Sequence, residues 1–267
     1  MRIIYLLNMN LDLILELINS HWFIILLFFV VALLYSSVGF GGGSSYLAIL
    51  ALTSLTFTQI RATALLCNIV VVLGNVIIFH RNKQLNYKKI TPLVLLSIPF
   101  AYLGGYLKIS ENLFFILLGS TLVFASVTMW LSKKIVSNSN ANQENKLGQN
   151  GAIGSIIGFI SGMVGIGGGI FLAPILHLTN WDTPKKIAAT ASMFILVNSI
   201  AGFLGQSTNP DFQINWGLTS ILLLTVFIGG QIGNRISNNF FTPIQLKKAT
   251  AILIAFVGIK ILYDFLF

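Results

Sequence analysis

Cysteine is almost absent from this chain. A single one, Cys67, excludes an intramolecular disulfide and a cysteine-built metal site. Charge is scarce as well: 9% of the 267 residues are Asp, Glu, Lys or Arg, where a soluble domain carries about a quarter. The seven acidic residues all lie away from the middle of an apolar stretch, so no membrane-embedded carboxylate offers itself as a proton relay or sodium ligand. An HExxH zinc helix, a Walker loop and a GxSxG elbow are missing, which argues against an enzyme, a metal and a cofactor. The net charge of +9 sits in short connecting loops, where cations set membrane orientation, so a nucleic-acid partner is not needed to explain it.

Apolar residues, by contrast, make up 55% of the chain and the mean hydropathy is +0.86, the composition of an integral membrane protein. The stretches 61–79, 91–107, 112–131, 187–205 and 216–233 each approach the roughly 20 residues that cross a bilayer. The start, 1–20, holds Asp12 and Glu16 and no cleavage-type site, and is read as an interfacial segment rather than a removable leader. Segment 132–150, rich in Asn, Ser, Gln and Lys, is the one linker-like stretch, and its lysines make it cytoplasmic. It separates 21–131 from 151–267.

Those two halves repeat each other. Gly39-Phe40-Gly41-Gly42-Gly43-Ser44-Ser45 lies inside the apolar run 21–55, and Gly165-Ile166-Gly167-Gly168-Gly169 lies inside the run 152–178. Ile60, Ala62, Thr63 and Ala64 then match Ile187, Ala189, Thr190 and Ala191, and Leu103-Gly104-Gly105 matches Ile228-Gly229-Gly230. Three landmarks in one order indicate a duplicated unit. If each glycine run were one ordinary span, the 16 Lys and Arg would divide almost evenly between the two sides. If each run is a hairpin that enters and leaves on one side, Lys185, Lys186, Arg235, Lys247 and Lys248 join the cytoplasmic set and Lys260 leaves it, as the positive-inside rule favours. The flanks 152–164 and 170–178 are also too short to span alone. The expected fold is therefore an all-α membrane protein of two inverted repeats. Each repeat has a glycine-broken re-entrant hairpin followed by three transmembrane helices.

A helix restarting after such a break presents unpaired N–H groups and partial positive charge, and glycine lets an oxyanion approach closely. The expected substrate-binding residues are Gly41, Gly42, Gly43, Ser44 and Ser45 in the first half and Gly167, Gly168 and Gly169 in the second. Thr63, Thr190 and Asn198 on the next helices are candidates for the same cavity. The plainer alternative is that the glycines serve helix packing and the threonines bond back to their own backbone. Asn68 and Asn75, roughly opposite Thr63, are read as helix glue, Gln206 and Asn209 as loop residues, and Arg61 as a snorkelling interfacial cation ahead of an anion attractor. Asp182, before Thr183-Pro184, reads as a helix-start residue.

The paired GxGGG runs, the segment Ile170-Phe171-Leu172-Ala173-Pro174-Ile175-Leu176 and the alanine–threonine helix starts resemble the TauE/SafE sulfite-exporter family, also called the DUF81 type. The resemblance runs from about Phe23 to Leu262. One departure is Ala48 at the position equivalent to Pro174. What it implies is movement of sulfite, sulfonates or related organic anions across the bacterial inner membrane. Together these observations give the expectation of a secondary transporter for a small sulfur oxyanion, embedded in the lipid bilayer. A passive anion channel and a non-transporting membrane scaffold are the alternatives. The coupling ion, H+ or Na+, and pairing into a homodimer stay open.

Overall fold

The computed structural model describes residues 2–131, 147–179, 181–236 and 243–266. Most of the expected linker, 132–146 with Lys133, Lys134 and Lys146, lies outside the described residues, as do the side chains of Lys247 and Lys248. Among the described residues the chain is entirely helix and turn. The first half gives α1 (Arg2–Ser37), α2 (Gly43–Leu50), α3 (Phe57–Arg81), α4 (Tyr87–Tyr106) and α5 (Glu111–Leu131). The second gives α6 (Leu147–Val164), α7 (Gly169–Leu178), α8 (Pro184–Ser207), α9 (Trp216–Ile236) and α10 (Pro243–Leu266). Each half thus runs helix, glycine break, short helix, then three long helices.

Among the described residues five segments are long and apolar enough to cross a bilayer: Leu15–Ser37, Phe57–Arg81, Glu111–Thr128, Pro184–Ser207 and Trp216–Arg235. The protein is accordingly a multi-pass membrane protein. Leu95, Phe124, Leu224 and Phe256 stand exposed on helix sides, as lipid-facing residues do, while exposed Trp130 and Trp216 stand near helix ends, where indole rings anchor at the interface. The first of the five segments includes a kink, because His21 leaves helical geometry (φ −118°, ψ 15°).

Local signals account for where the long helices begin. Thr56 caps α3 in a reciprocal box with Gln59: its hydroxyl accepts from the Gln59 N–H, and its own N–H donates to Gln59 Oε1 at 3.2 Å. Proline stands at the first position of α8, and the carboxylate of buried Asp182 accepts from the Thr183 N–H at 2.8 Å just ahead of it. Asp182 is therefore a helix-start residue, held also by Lys89 at 3.3 Å and Lys186 at 3.7 Å.

Packing pairs the halves with each other. α4 lies on α6 as α9 lies on α1, α4 touches α8 as α9 touches α3, and the remaining central contacts, α3 on α8 and α5 on α10, pair equivalent helices. Exchanging the halves leaves this pattern unchanged. The crossings are close because small residues line them. On α6, Gly154, Gly158 and Gly162 rest on the backbone of Leu93, Ser97 and Ala101 of α4. Gly119 of α5 and Gly258 of α10 face each other reciprocally, an added Cβ on either falling 3.0–3.1 Å from the other's carbonyl oxygen.

A side chain at Gly158 would fall 2.6 Å from the Ser97 carbonyl. Gly158→Leu should therefore lower the unfolding free energy by about 1–3 kcal/mol through overpacking. Gly148→Ala, where nothing lies within reach of the added Cβ, should stay within about 0.5 kcal/mol of the parent. Thermal unfolding of the two variants in detergent checks the contrast.

Candidate substrate site at the two helix breaks

Both breaks are built alike. α1 and α6 each end on a left-handed glycine, Gly39 (φ 84°) and Gly165 (φ 87°). The next residue bonds back five positions, Phe40 N–H to the Tyr35 carbonyl at 2.9 Å and Ile166 N–H to the Ser161 carbonyl at 3.2 Å. This is the Schellman way of ending a helix, and it favours glycine because the left-handed region penalises a Cβ. Within a few residues each chain re-enters a helix, α2 after Gly42 and α7 after Gly168. Ala48 sits in α2 as Pro174 sits in α7, so both short helices form with or without the proline.

The carbonyls released at each break are answered by side chains of the long central helices. Asn75 Nδ2 donates to the Phe40 carbonyl at 3.0 Å, Asn68 Nδ2 to the Ile166 carbonyl at 2.9 Å, and the Ser192 hydroxyl to the Gly39 carbonyl. Buried carbonyls in a membrane have no solvent to turn to, so these bonds hold the breaks open as a defined shape. Asn68 and Asn75, expected as glue between helices, instead tie down the two breaks.

At Asn68 the breaks meet. Its side chain lies against Gly41 and Gly43 of the first and, 2.8 Å from where a Cβ would stand, Gly167 of the second. A Cβ on Gly43 would fall 2.6 Å from the Ile166 carbonyl, so the start of α2 abuts the second break directly. Of the residues expected to bind substrate, the structure thus brings Gly41, Gly43 and Gly167 together. Gly42 faces Tyr46 and Val31, Gly168 faces Phe194 and Ile157, and Gly169 faces Ile195. Ser44 and Ser45 are buried, with Ser45 Oγ 3.0 Å from the Tyr35 hydroxyl.

The other candidates serve helix contacts. Thr63 Oγ1 lies 2.9 Å from Thr219 Oγ1 of α9, and Thr190 donates to the Lys186 carbonyl one turn back at 2.8 Å. Asn198 Nδ2 reaches the Ser97 hydroxyl at 2.9 Å and the Phe194 carbonyl at 2.8 Å. Three polar atoms at the breaks are buried with no hydrogen-bond partner: Asn68 Oδ1 beside Gly41, Ser199 Oγ beside Gly167 and the Tyr46 hydroxyl beside Gly42. Asn68 and Ser199 were not among the expected ligands. Asn68 was nonetheless detectable, since Arg61, Asn68 and Asn75 recur every seventh position and so form one polar stripe along an apolar helix.

Arg61 corrects the expectation of a snorkelling cation. It is 2% exposed, its stem packs on Gly165, and Nη2 donates to the Gly162 carbonyl at 3.1 Å and the Gly105 carbonyl at 3.5 Å. Those carbonyls belong to the last turns of α6 and α4, the negative ends of two helices, which is where a cation is stabilised without a carboxylate. No ion pair among the described residues involves it. A cleft of about 40 Å³ opens beside it, lined by Phe57, Lys108, Gln206, Asn209 and Asp211. Gln206 and Asn209, expected as plain loop residues, help form it. Gln206 is buried, and its Nε2 donates to the Thr58 carbonyl at 2.8 Å.

At the equivalent corner of the other half, Ala188 stands where Arg61 does, packed beside Gly39. There Ser36 Oγ lies 2.9 Å from the Gly230 carbonyl, 3.0 Å from Asn75 Oδ1 and 2.6 Å from the Asn234 amide. One hydroxyl hydrogen cannot serve three acceptors, and Asn234 Nδ2 is buried without a partner. Turning the Asn234 amide so that Nδ2 faces Ser36 gives that nitrogen an acceptor and leaves the hydroxyl hydrogen to be shared by Asn75 Oδ1 and the Gly230 carbonyl.

Gly167 (φ 81°) is where conformation and contact coincide, because an added Cβ would also fall 2.6 Å from Ser199 Oγ. Gly167→Ala should cost at least about 1–2 kcal/mol from its backbone conformation. It should also push the Asn68 amide off the Ile166 carbonyl. Thermal unfolding in detergent, compared with that of Gly148→Ala, reads the combined cost.

Residues 24–261 match the family described as sulfite exporter TauE/SafE. Among curated relatives, the probable membrane transporter protein y4hK of Sinorhizobium fredii is 32% identical over 242 residues, covering 88% of this chain and 96% of the relative. The probable membrane transporter protein YunE of Bacillus subtilis is 24% identical over 259 residues, covering 87% and 93%. The probable membrane transporter protein MJ0441 of Methanocaldococcus jannaschii is 25% identical over 259 residues, covering 90% and 94%. No solved structure matches the chain. With the family matched over nearly its whole length, this chain belongs to the TauE/SafE sulfite exporter family of membrane transporters.

Proposed function

We propose that the protein is a secondary transporter that moves a small sulfur-containing oxyanion, sulfite or a sulfonate, across the plasma membrane, which in a bacterium is the inner one. The observation that carries this reading is the meeting of both breaks at Asn68, where the start of α2 at Gly43 abuts the Ile166 carbonyl of the second break. The start of α2 brings N–H donors and positive potential to this junction, which suits an anion and needs no charged ligand. Arg61, buried at one approach, adds a cation on the route. Gly41, Gly43, Gly167, Asn68 and Ser199 are the residues assigned to the site.

Two ion pairs support the hairpin topology and hence inverted repeats. Lys89 Nζ meets Asp182 at 3.3 Å, which puts the α3–α4 and α7–α8 connections at one end. Lys108 Nζ meets Asp211 at 3.0 Å, which puts the α4–α5 and α8–α9 connections at one end as well. A chain in which each glycine run crossed the membrane would separate both pairs. With odd numbers of crossings the halves oppose each other, and the substrate site falls between the breaks, a recurrent transporter plan.

Topology reporters fused after Thr183 and after Asp211 should report cytoplasm and periplasm respectively, and the reverse assignment would reject the hairpins. For transport, purified protein in proteoliposomes should take up labelled sulfite faster than empty liposomes under an imposed proton or sodium gradient. If folded protein moves neither sulfite nor a sulfonate under any gradient, the transporter reading fails. Single-channel currents in planar bilayers would replace it by a passive channel.

A further inference from the structure

We infer that the crossing of the breaks is built for an oxyanion that still carries one proton, hydrogen sulfite in its O–H form rather than the sulfite dianion or a sulfonate, with Asn68 Oδ1 accepting that proton's hydrogen bond. The inference rests on the transport reading above and specifies the ionic form carried.

It begins with the Asn68 amide, 1% exposed. The Ile166 carbonyl can only accept, so the amide atom facing it at 2.9 Å is nitrogen, and the position of the oxygen follows. That oxygen lies against Gly41, buried and without a donor. Next to the amide, across Gly167, stands Ser199 Oγ, fully buried and also unpartnered. Leaving a buried acceptor unpaired is costly, so the pair points to a ligand that answers both atoms.

Two chemistries satisfy a spare amide oxygen: a cation, or a donor hydrogen on the ligand. The local field separates them, because α2 begins at Gly43 against this amide and its positive end opposes a cation while favouring an anion. An anion without hydrogen would set its own oxygens against Asn68 Oδ1 and leave that acceptor unmet. An anion with a single O–H donates to it, while the Ser199 hydroxyl and the free N–H groups serve its remaining oxygens. A polar site of this kind rejects analogues that lack the matching hydrogen far more strongly than an apolar pocket rejects a size change.

The substrate then brings its own proton. Hydrogen sulfite crosses as the monoanion and re-equilibrates with sulfite and a proton on the far side, so one proton travels with each anion without passing through a side chain. That accords with a chain whose seven acidic residues all lie away from the middle of its spans.

Calorimetry on the full chain in nanodiscs, with sulfite and with methanesulfonate as separate probes, tests this. The apparent affinity for total sulfite should fall about tenfold per pH unit above the second pKa of sulfurous acid, across a range of about pH 6 to 9. Methanesulfonate should bind at least about tenfold more weakly than hydrogen sulfite, with no such slope. Ser199→Ala should weaken sulfite binding and keep the slope, whereas Asn68→Ala should flatten it. Because Asn68→Ala also frees the Ile166 carbonyl and can unseat the break, the parent protein's pH slope and anion preference decide the matter. Equal binding of the two anions, or sulfite binding indifferent to pH, overturns the inference while leaving the transporter intact. Failure of both anions to bind at every pH overturns both. Sodium that raises the melting temperature of the parent but not of Ser199→Ala assigns the oxygens to a cation and also overturns it.

Discussion

A peptide carbonyl that leaves a helix inside a bilayer has to find a donor within the protein, and the architecture here follows from that requirement. The two breaks release the carbonyls of Gly39, Phe40 and Ile166, and donors reach them from Ser192 on α8 and from Asn75 and Asn68 on α3. None of these donors comes from the helix that the break interrupts. α3 therefore lies across both breaks and α8 reaches the first, the two packing against each other, and the remaining helices close around that pair. The glycines allow the bends, but the amides and the hydroxyl decide where the bends point.

Much of this frame is legible in the residues because it is written locally. The left-handed turns need glycine and the glycines are there, and the helix starts carry local signals, a capping box at Thr56 and proline at the first position of α8. Repetition of the glycine runs and of the Ile-x-Ala-Thr-Ala pattern exposes two equivalent halves, and the structure pairs their helices as equivalents. What cannot be read locally is which long-range partner a polar side chain meets. Thr63 and Thr190 draw attention because they are equivalent, yet one faces Thr219 of α9 and the other its own helix. Arg61 reads as an interfacial cation because it opens a helix. Its burial depends on the ends of α4 and α6, which the fold brings to it from far along the chain. Among the candidate ligands, the glycines on the inner side of each run were found by pattern. Asn68 stands out only as one member of a polar stripe, and which of its neighbours it meets, like the place of Ser199, required the fold.

The two equivalent corners flanking the breaks pose one problem and solve it twice. The first brings the last turns of α6 and α4 together and so concentrates carbonyls and negative potential, and the second sets the last turn of α1 against α9 at Gly230. A hydroxyl and two amides answer it at Ser36, Asn75 and Asn234, with geometry alone. A guanidinium answers it at Arg61, and besides satisfying carbonyls it leaves a full positive charge beside a cleft and one nitrogen, Nε, without a partner. The fold is thus nearly symmetric in shape and unsymmetric in field. A positive charge with low-dielectric walls raises the local concentration of anions and their rate of entry, but it moves no equilibrium between the two sides of a membrane. Duplication accounts for the frame of the two breaks, and the polar residues that differ between the halves, Asn68 against Ile195 and Arg61 against Ala188, set its field. On the transport reading proposed above, Arg61 makes the two approaches differ for an anion in kinetics, while net direction is left to the gradient.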